Sequence, residues 1–568
     1  MADPPNKNKP DMSMEQRLLL AFVLMGLVLL VSQYFYKPTA PQRRSEVKQV
    51  EAPKPQEQAT KPEETAEALT ATAAPAPQVA AQAEEMPRVD TDVFSIVLSN
   101  RGAQVRSWVL KKYKTGAGKP VEVVNQQAAA KAGYPLAVVF ADFKPPVDVN
   151  QQLYAVTRSP GGLGLDFDWS DGKLRVHKRL RFTRGSYLAQ ITSEVLNGGV
   201  AVPHLLVWRG GFGDPTAYNA AANQYTLYYD PAAAKLVTQQ AKAAKNGPVS
   251  AAGSFTFAGL QDSYFAAVFM PRDGRAFEIQ TLSDSVAGPS SAEEQPHVGA
   301  AVGGKGRNDF ALFVGPKDLD LLRKVDAKLE QLVDFGTWFG FIAKPLFLVL
   351  NWVNDNWTHN YGWAIIVVTI AINFLLMPLK ITSLRSMKKM SALQPQIAAI
   401  NEKYKNISLR DPRKAEQNTE IMALYKKHGV NPAGGCMPIL LQIPFFIAFY
   451  TVLTVAIEMR GASWLWVTDL SHPETIPIRI LPLLMIATQF WLQKMTPATT
   501  ADPTQQKMMM FMPLIFGFMF YGVSSGLVLY WLTGNLVSIA QQWFFNRLMP
   551  PAPRAVVDVK PMKKGGKK

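Results

Sequence analysis

The sequence predicts a polytopic α-helical membrane protein with a five-helix core, an N-terminal anchor helix and a large external β-sandwich domain. Three observations predict it. Apolar runs at 18–36, 361–379, 437–457, 477–493, 508–523 and 525–545 are candidates to cross a bilayer as helices. Between the first two, from about 90, short segments alternate apolar and polar residues, the period of half-buried strands. Basic residues collect in every second loop, as they do when those loops face the cytoplasm.

Composition sets limits on this reading. Of 568 residues 48% are hydrophobic, yet mean hydropathy is only −0.01. The apolar runs are therefore concentrated in part of the chain, and a large soluble part lies elsewhere. The formal charge of +16 and a pI of about 9.6 fit nucleic acid, anionic lipid or a ribosome surface without choosing among them. One cysteine, Cys436, excludes an intrachain disulfide framework and a cysteine zinc site, and reads as a small buried residue. The sequence holds no Walker-type glycine loop, no His-Glu-x-x-His and no nucleophile elbow, so no cofactor, metal or catalytic residue is expected.

In chain order, 1–17 form a polar N-terminus placed in the cytoplasm. The 18–36 run ends in Tyr34, Phe35 and Tyr36, an interfacial anchor, and reads as an uncleaved transmembrane helix. Residues 37–88, rich in Pro, Ala, Gln, Glu and Thr, cannot bury a core and read as a disordered linker. Strands are expected at Val93–Leu98, Val105–Leu110, Leu136–Phe140, Leu174–Phe182, Tyr187–Leu196 and Phe255–Leu260 within a β-sandwich over 89–334. Residues 316–334 read as one polar amphipathic helix closing that domain. His177, among Arg175, Lys178, Arg179 and Arg181, reads as part of a solvated basic edge, and no carboxylate–histidine constellation is evident. Residues 338–353, apolar but interrupted at Lys344-Pro345, read as an interfacial amphipathic helix.

The run 361–379 carries Asn373, with Thr369 one turn earlier on the same face. Asn373 is either helix-to-helix glue or part of a polar patch that admits something polar into the membrane. From 380 to 436 the chain is basic, with eleven Lys or Arg against four acids. Met390, Leu393, Ile397, Ile400 and Tyr404 form a seam at spacings of three and four, with a kink expected at Pro395. Asp411-Pro412 starts a second helix and Gly429 ends it, giving an antiparallel cytoplasmic hairpin. Its charges, Lys388, Lys389, Arg413 and Lys414 among them, are either a solvated face or a contact for anionic lipid or ribosomal RNA. The loop 458–476 holds Arg460 against Glu458, Asp469 and Glu474, and is placed outside. The basic tail 546–568 is placed inside.

The later runs also carry amides and hydroxyls. These are Gln442, Tyr450 and Thr454 on 437–457, Gln489 and Gln493 on 477–493, and Asn535, Ser538 and Gln542 as one stripe on 525–545. Polar faces on most of five helices imply a shared wet surface, because a lipid-facing amide loses its hydrogen bonds. That surface fits a channel, a transporter site or an open groove. The runs lack deep ionisable residues, apart from Arg479 near an outer end, where it can snorkel, and show no inverted repeat. Both facts disfavour coupled transport.

Val430-Asn431-Pro432-Ala433-Gly434-Gly435-Cys436-Met437-Pro438 and Leu441-Gln442-Ile443-Pro444-Phe445-Phe446 resemble the third-helix signature of the YidC membrane protein insertases. Asp502 to Lys507, Phe511-Met512-Pro513 and Ser525 to Trp531 resemble that family's final helices, and Leu393-Gln394-Pro395 its cytoplasmic hairpin. The resemblance is dense over 360–545. It implies a non-enzymatic insertase and chaperone of the bacterial inner membrane, with both termini cytoplasmic and a periplasmic, supersandwich-like β domain. Its implied partners are nascent membrane proteins, the SecYEG translocon, and the ribosome and signal-recognition machinery, met through the hairpin and basic tail. It further implies a hydrophilic groove containing Thr369 and Gln442, with Trp531 where the family has tyrosine. The family's basic groove residue falls at Asn373, five before Pro378. Hydration of the groove, with Asn373 offering donors and acceptors, is the implied substitute for a fixed charge.

Overall fold

The computed structural model describes residues 77–116, 118–214, 223–287, 294–336, 339–404, 413–431, 437–496 and 503–548. The predicted helix at 18–36, most of the linker, the Asp411-Pro412 helix start, Cys436 and the basic tail beyond 548 lie outside them. The chain divides into two compact units. One is β-rich and includes Thr454–Gly461; the other is helical, from Phe335 onward.

Every strand pair in the β-rich unit is antiparallel, as hairpin-rich alternation predicts. Three sheets form. The largest runs from Lys235–Gln239 at one edge, through Asn308–Pro316, to Ala155–Arg158 at the other; a five-stranded sheet centres on Glu294–Gly304, and a four-stranded one spans Arg88–Asp90 to Pro120–Glu122. Aromatic residues tie the sheets together. Trp108 meets Trp208 at 6.2 Å and Phe94 meets Phe182 at 5.7 Å, while Phe277 packs edge-on to Phe310 at 5.5 Å. The strand Leu174–Phe182 lies where the alternation puts it.

Four details differ from the sequence reading. Ordered structure starts before 88: Val79 exchanges backbone hydrogen bonds with Ser170 at 2.8 and 2.9 Å, and Glu84 pairs with Arg101. The closing helix is two pieces, α2 (Leu319–Val325) and a 3-10 turn (Ala327–Leu332), following a short early helix α1 (Gln126–Ala132). Asp326 causes the split, because its extended backbone ends α2 and its carboxylate caps the next turn at Lys328 N. The basic edge is not simply solvated. Lys178 occupies an inward position of its strand, fully buried, and its Nζ donates to the carbonyls of Gly102 (2.7 Å), Ala103 (3.2 Å) and Leu136 (2.7 Å). A carboxylate–histidine pair does exist, His177 Nδ1 to Asp168 Oδ1 at 2.8 Å across the adjacent strand.

The buried His204 sits 2.8 Å from Ser193 Oγ and 3.0 Å from Asn308 Nδ2. Burial pushes its imidazole down to about 4, so it is neutral near pH 7. With all three side chains buried, this is a sealed structural cluster. Arg460 belongs to the same unit. It is nearly buried, ion-paired with Asp214, and donates from Nη2 to Lys114 O at 3.1 Å.

The helical unit contains α3 (Gly340–Val353), α4 (Tyr361–Leu375), α5 (Met377–Lys403), α6 (Arg413–Lys427), α7 (Met437–Val455), α8 (Ile480–Met495), α9 (Pro503–Phe520) and α10 (Ser525–Leu548). The helix α3 runs through Lys344-Pro345. It buries Ala343, Leu346, Phe347 and Leu350 while exposing Phe341, Leu348, Val349 and Trp352. Pro345 forfeits one hydrogen bond, which the rest of the helix tolerates. Among the described residues no single helix is both long and apolar enough to cross a membrane. One pair, Gly340–Thr358 with Tyr361–Leu375, meets that test together with a bend of 116°.

The helices α5 and α6 pack against each other. Met390, Leu393 and Ile397 of α5 pack with Tyr425 and Val430, joined by Ile421 and Leu424. The pairs Asn401–Gln417 (2.7 Å) and Lys403–Glu420 (2.6 Å) near one end, with Ser386 Oγ to Asn431 O (3.1 Å) near the other, set α5 and α6 antiparallel. Gly429 adopts a φ of 61° just beyond α6, the left-handed stop that glycine favours.

Candidate functional site

The helix α4 begins where Asn360 caps it, its Oδ1 accepting from Gly362 N (3.0 Å) and Trp363 N (3.3 Å). It ends at Leu376, because Pro378 supplies no amide proton and crowds the carbonyl four residues earlier. The predicted 361–379 run is thus α4 plus the first residues of α5. Asn373, in the last turn of α4, is buried among α4, α5 and α10. Its Nδ2 donates to Thr369 O at 2.8 Å and its Oδ1 accepts from Lys380 Nζ at 2.6 Å.

Lys380 lies seven residues after Asn373, about two helical turns, so its side chain reaches back along the same side. The ammonium also donates to Ser538 Oγ at 3.1 Å and Gln541 Oε1 at 3.4 Å, both on α10. Gln541 in turn donates from Nε2 to Asn373 O at 3.3 Å. Gly534 of α10 faces the same place, since a Cβ built on it lies 3.8 Å from Gln442 Nε2 and 4.0 Å from Asn373 Nδ2. Three apolar helices therefore bring two amides to one glycine, with a lysine, a serine and a third amide beside them.

The other expected groove residues are distributed differently. Thr369 is fully buried, and its hydroxyl donates to Ile365 O of its own helix at 2.6 Å. Gln442 also hydrogen-bonds Tyr530. Trp531 joins an aromatic cluster with Phe446 (5.1 Å) and Phe520 (5.0 Å), and its Nε1 donates to Gln489 Oε1 at 3.4 Å. The stripe on α10 divides. Ser538 faces Lys380, whereas Asn535 donates to Met485 O (3.3 Å) and Thr488 Oγ1 (3.2 Å), and Gln542 to Met495 O (3.4 Å), all toward α8. Tyr450 is half-buried two turns along α7 from Gln442. Thr454, next to the last residue of that helix, groups with the β-rich unit.

Arg479 lies just before α8. Its guanidinium donates to Tyr521 O and to Glu474 O (3.2 Å) and stacks on the Tyr521 ring at 5.0 Å. On the hairpin, Lys389 and Arg413 are exposed and Lys388 is half-buried, its ammonium held below the usual lysine range by burial. Lys414 lies on α6, outside the described side chains. Sequence reasoning missed Lys380, Gln541 and Gly534. The seven-residue spacing from Asn373 was the available signal for the lysine. Gln541, three residues after Ser538, was the alternative to Gln542 on the same stripe.

The chain thus combines an antiparallel β-rich unit with a helical unit that carries a basic hairpin and apolar helices sharing an amide-lined site. Residues 352–552 match the family described as 60Kd inner membrane protein, and residues 87–349 match the YidC periplasmic domain. A relative named membrane protein insertase YidC, from Syntrophus aciditrophicus, is 35% identical over 94% of this chain and 100% of its own length. Relatives of the same name from Geobacter sp. (strain M21) and Cupriavidus necator are 36% and 35% identical, covering 81% and 85% of this chain and 85% and 86% of their own. The chain belongs to the YidC membrane protein insertase family.

Proposed function

We propose that this protein is a membrane protein insertase and chaperone, and that the site around Gly534 receives the polar part of a nascent membrane protein while its apolar part passes into lipid. The observation that carries the reading is the meeting of Asn373, Gln442, Ser538 and Gln541, on the apolar helices α4, α7 and α10, with Lys380 from the first turn of α5. Moving a charge to mid-bilayer costs about 2.5–3.5 kcal/mol on insertion scales, and hydrogen-bonding side chains in the path lower that cost. In this reading 18–36, α4, α7, α8, α9 and α10 are the spans, and α3 lies at the outer interface with Trp352 and Phe341 toward lipid. The hairpin and both termini face the cytoplasm, as the basic loops favour.

The exposed bases Lys389 and Arg413 suit the ribosome, the signal-recognition machinery or anionic lipid, and delivery is either independent or with the SecYEG translocon. Membership in an insertase family goes with a non-catalytic role and disfavours a channel or transporter. A photocrosslinking probe at 373 or 442, facing a stalled nascent membrane protein, tests the site. Crosslinks confined to the stage when the substrate helix emerges are expected. Crosslinks found only from outward-facing positions of α7 would refute it.

A further inference from the structure

A strongly basic turn lies in the β-rich unit, on the antiparallel strands Gln104–Lys114 and Pro120–Glu122. Residues 111–119 hold four lysines and no acid. Lys111 pairs with Asp90 at 2.6 Å. Lys112, Lys114 and Lys119 are exposed, and among the described residues none of the three makes an ion pair. Lys112 and Lys114 stand two apart on one strand, so they share a face, and the bond from Thr115 N to Lys119 O at 2.7 Å brings the third lysine across the turn. Like charges so placed destabilise a strand pair unless an opposite charge lies against them.

The base of the turn is fastened to the segment that follows α7. Lys114 O accepts from Arg460 Nε at 3.3 Å and Nη2 at 3.1 Å. The same guanidinium lies over the Tyr264 and Phe265 rings at 5.1 and 5.4 Å, and Tyr113 packs edge-on to Phe265 at 5.5 Å. Arg460 comes five residues after Val455, the end of α7. That is a reach of at most about 17 Å, shortened because Ile457–Met459 coil into a 3-10 turn. The last residue of the β-rich unit before the helices, Asp334, belongs to the same neighbourhood. Lys317 N donates to Tyr264 O at 2.7 Å, and the Lys317 ammonium interacts with the Asp334 carboxylate.

We infer that Lys112, Lys114 and Lys119 form a docking surface for the phosphate headgroups of anionic phospholipid in the outer leaflet. The inference rests on α7 being a span whose end emerges outside, as proposed above, and adds a lipid contact on the side opposite to the basic helical hairpin. Arg460 then positions the turn, because it ties the turn's backbone to a segment that cannot leave the membrane surface. A basic side chain near an anionic surface strengthens attachment about fivefold, and salt screens the effect within a Debye length.

The test uses the full chain in lipid nanodiscs. A Cβ at Gly116 meets nothing within 4 Å, so a photoreactive side chain fits there, and the readout is the yield of phospholipid adducts. Bilayers of phosphatidylcholine alone are compared with bilayers that also contain phosphatidylglycerol. The yield is expected to be on the order of tenfold higher with phosphatidylglycerol and to fall toward the phosphatidylcholine value as salt rises. Replacing all three lysines by Gln should remove the difference, and replacing them by Arg should keep it. Equal yields in the two bilayers at low salt, an unchanged difference in the Gln variant, or adducts to a second copy of the chain in place of lipid overturn the inference. Should the Gln variant fail to fold, the salt series on the unsubstituted lysines still decides. A second probe replaces Phe518, which is 88% exposed on α9. Lipid adducts at 518 with none at 116 overturn the docking surface alone. No adducts at either position would remove the membrane reading, and this inference with it.

Discussion

Gly534 offers the most direct way to close the site without touching a polar group. A Cβ at 534 would sit 3.8 Å from Gln442 Nε2 and 4.0 Å from Asn373 Nδ2, ordinary contact distances. Gly534→Ala is therefore expected to be accepted, and the better helix propensity of alanine adds up to about 1 kcal/mol of stability. Valine carries methyls roughly 1.5 Å beyond Cβ, which would bring one to within about 2.5 Å of an amide. One of the two amides must then move, at an overpacking cost of about 1–3 kcal/mol. Because Asn373 holds Lys380 and Gln541, its displacement undoes the whole cluster. The assay is insertion into vesicles, read by protease protection, alongside the thermal midpoint in detergent. Gly534→Ala should match or exceed the wild type in midpoint and match it in insertion, while Gly534→Val should lose insertion by roughly tenfold or more. Wild-type insertion and midpoint in both Gly534→Val and Gly534→Leu would refute the reasoning, because the space between the two amides would then be neither filled nor used.

Two further outcomes follow from groups elsewhere in the molecule. Gly362→Ala places a Cβ 2.2 Å from Trp464 Cγ, and that indole is held between Trp363 and Trp466, each 5.7 Å away by ring centroids. The thermal midpoint should fall, by about 1–3 kcal/mol of overpacking, and an unchanged midpoint would mean that the indole is free to turn. In the β-rich unit, burial pushes the Lys178 ammonium down to about 7 from 10.5. Between those values the unfolded chain binds the extra proton, so this group makes the unit more stable as pH rises from about 7 toward 10.5, with no slope below about 7. Denaturant midpoints taken across that range on the full chain should rise, and Lys178→Met should flatten the trend. A flat wild-type profile would show that the three carbonyls keep the ammonium charged throughout.

The β-rich unit and the hairpin were legible because their signals are local and periodic. Leu174–Phe182 alternates at period two and forms the strand so read, and Met390, Leu393 and Ile397 recur at spacings of three and four and form the packed seam. The same periodicity also placed Lys178 inward with Leu174, Val176, Leu180 and Phe182. Its charge argued for solvent, and the decisive fact, three carbonyls converging from Gly102, Ala103 and Leu136, comes from distant chain. Asp326 shows the reverse case, where a local polar residue ends a helix that the apolar pattern alone would have continued.

The polar site was legible in composition and less so in pairing. Amides on apolar helices announce that they face one another, yet period alone does not say which. Asn535, Ser538 and Gln542 form one stripe on paper. In space Asn535 and Gln542 satisfy α8, and Ser538 with Gln541 satisfies α4 and α5. A helix packed between two neighbours divides its polar face between them, and a one-residue step, from Gln542 to Gln541, is about 100° of rotation, enough to change partner. Lys380 was hidden for another reason. It stands first in a basic segment, where a charge reads as the beginning of solvent. The break at Leu376, which Pro378 imposes, instead starts a new helix whose first turn points a lysine back at Asn373. An asparagine standing where the family resemblance implies a base therefore does not mean a site without charge: the ammonium comes from two turns further along the chain, and the asparagine is what holds it.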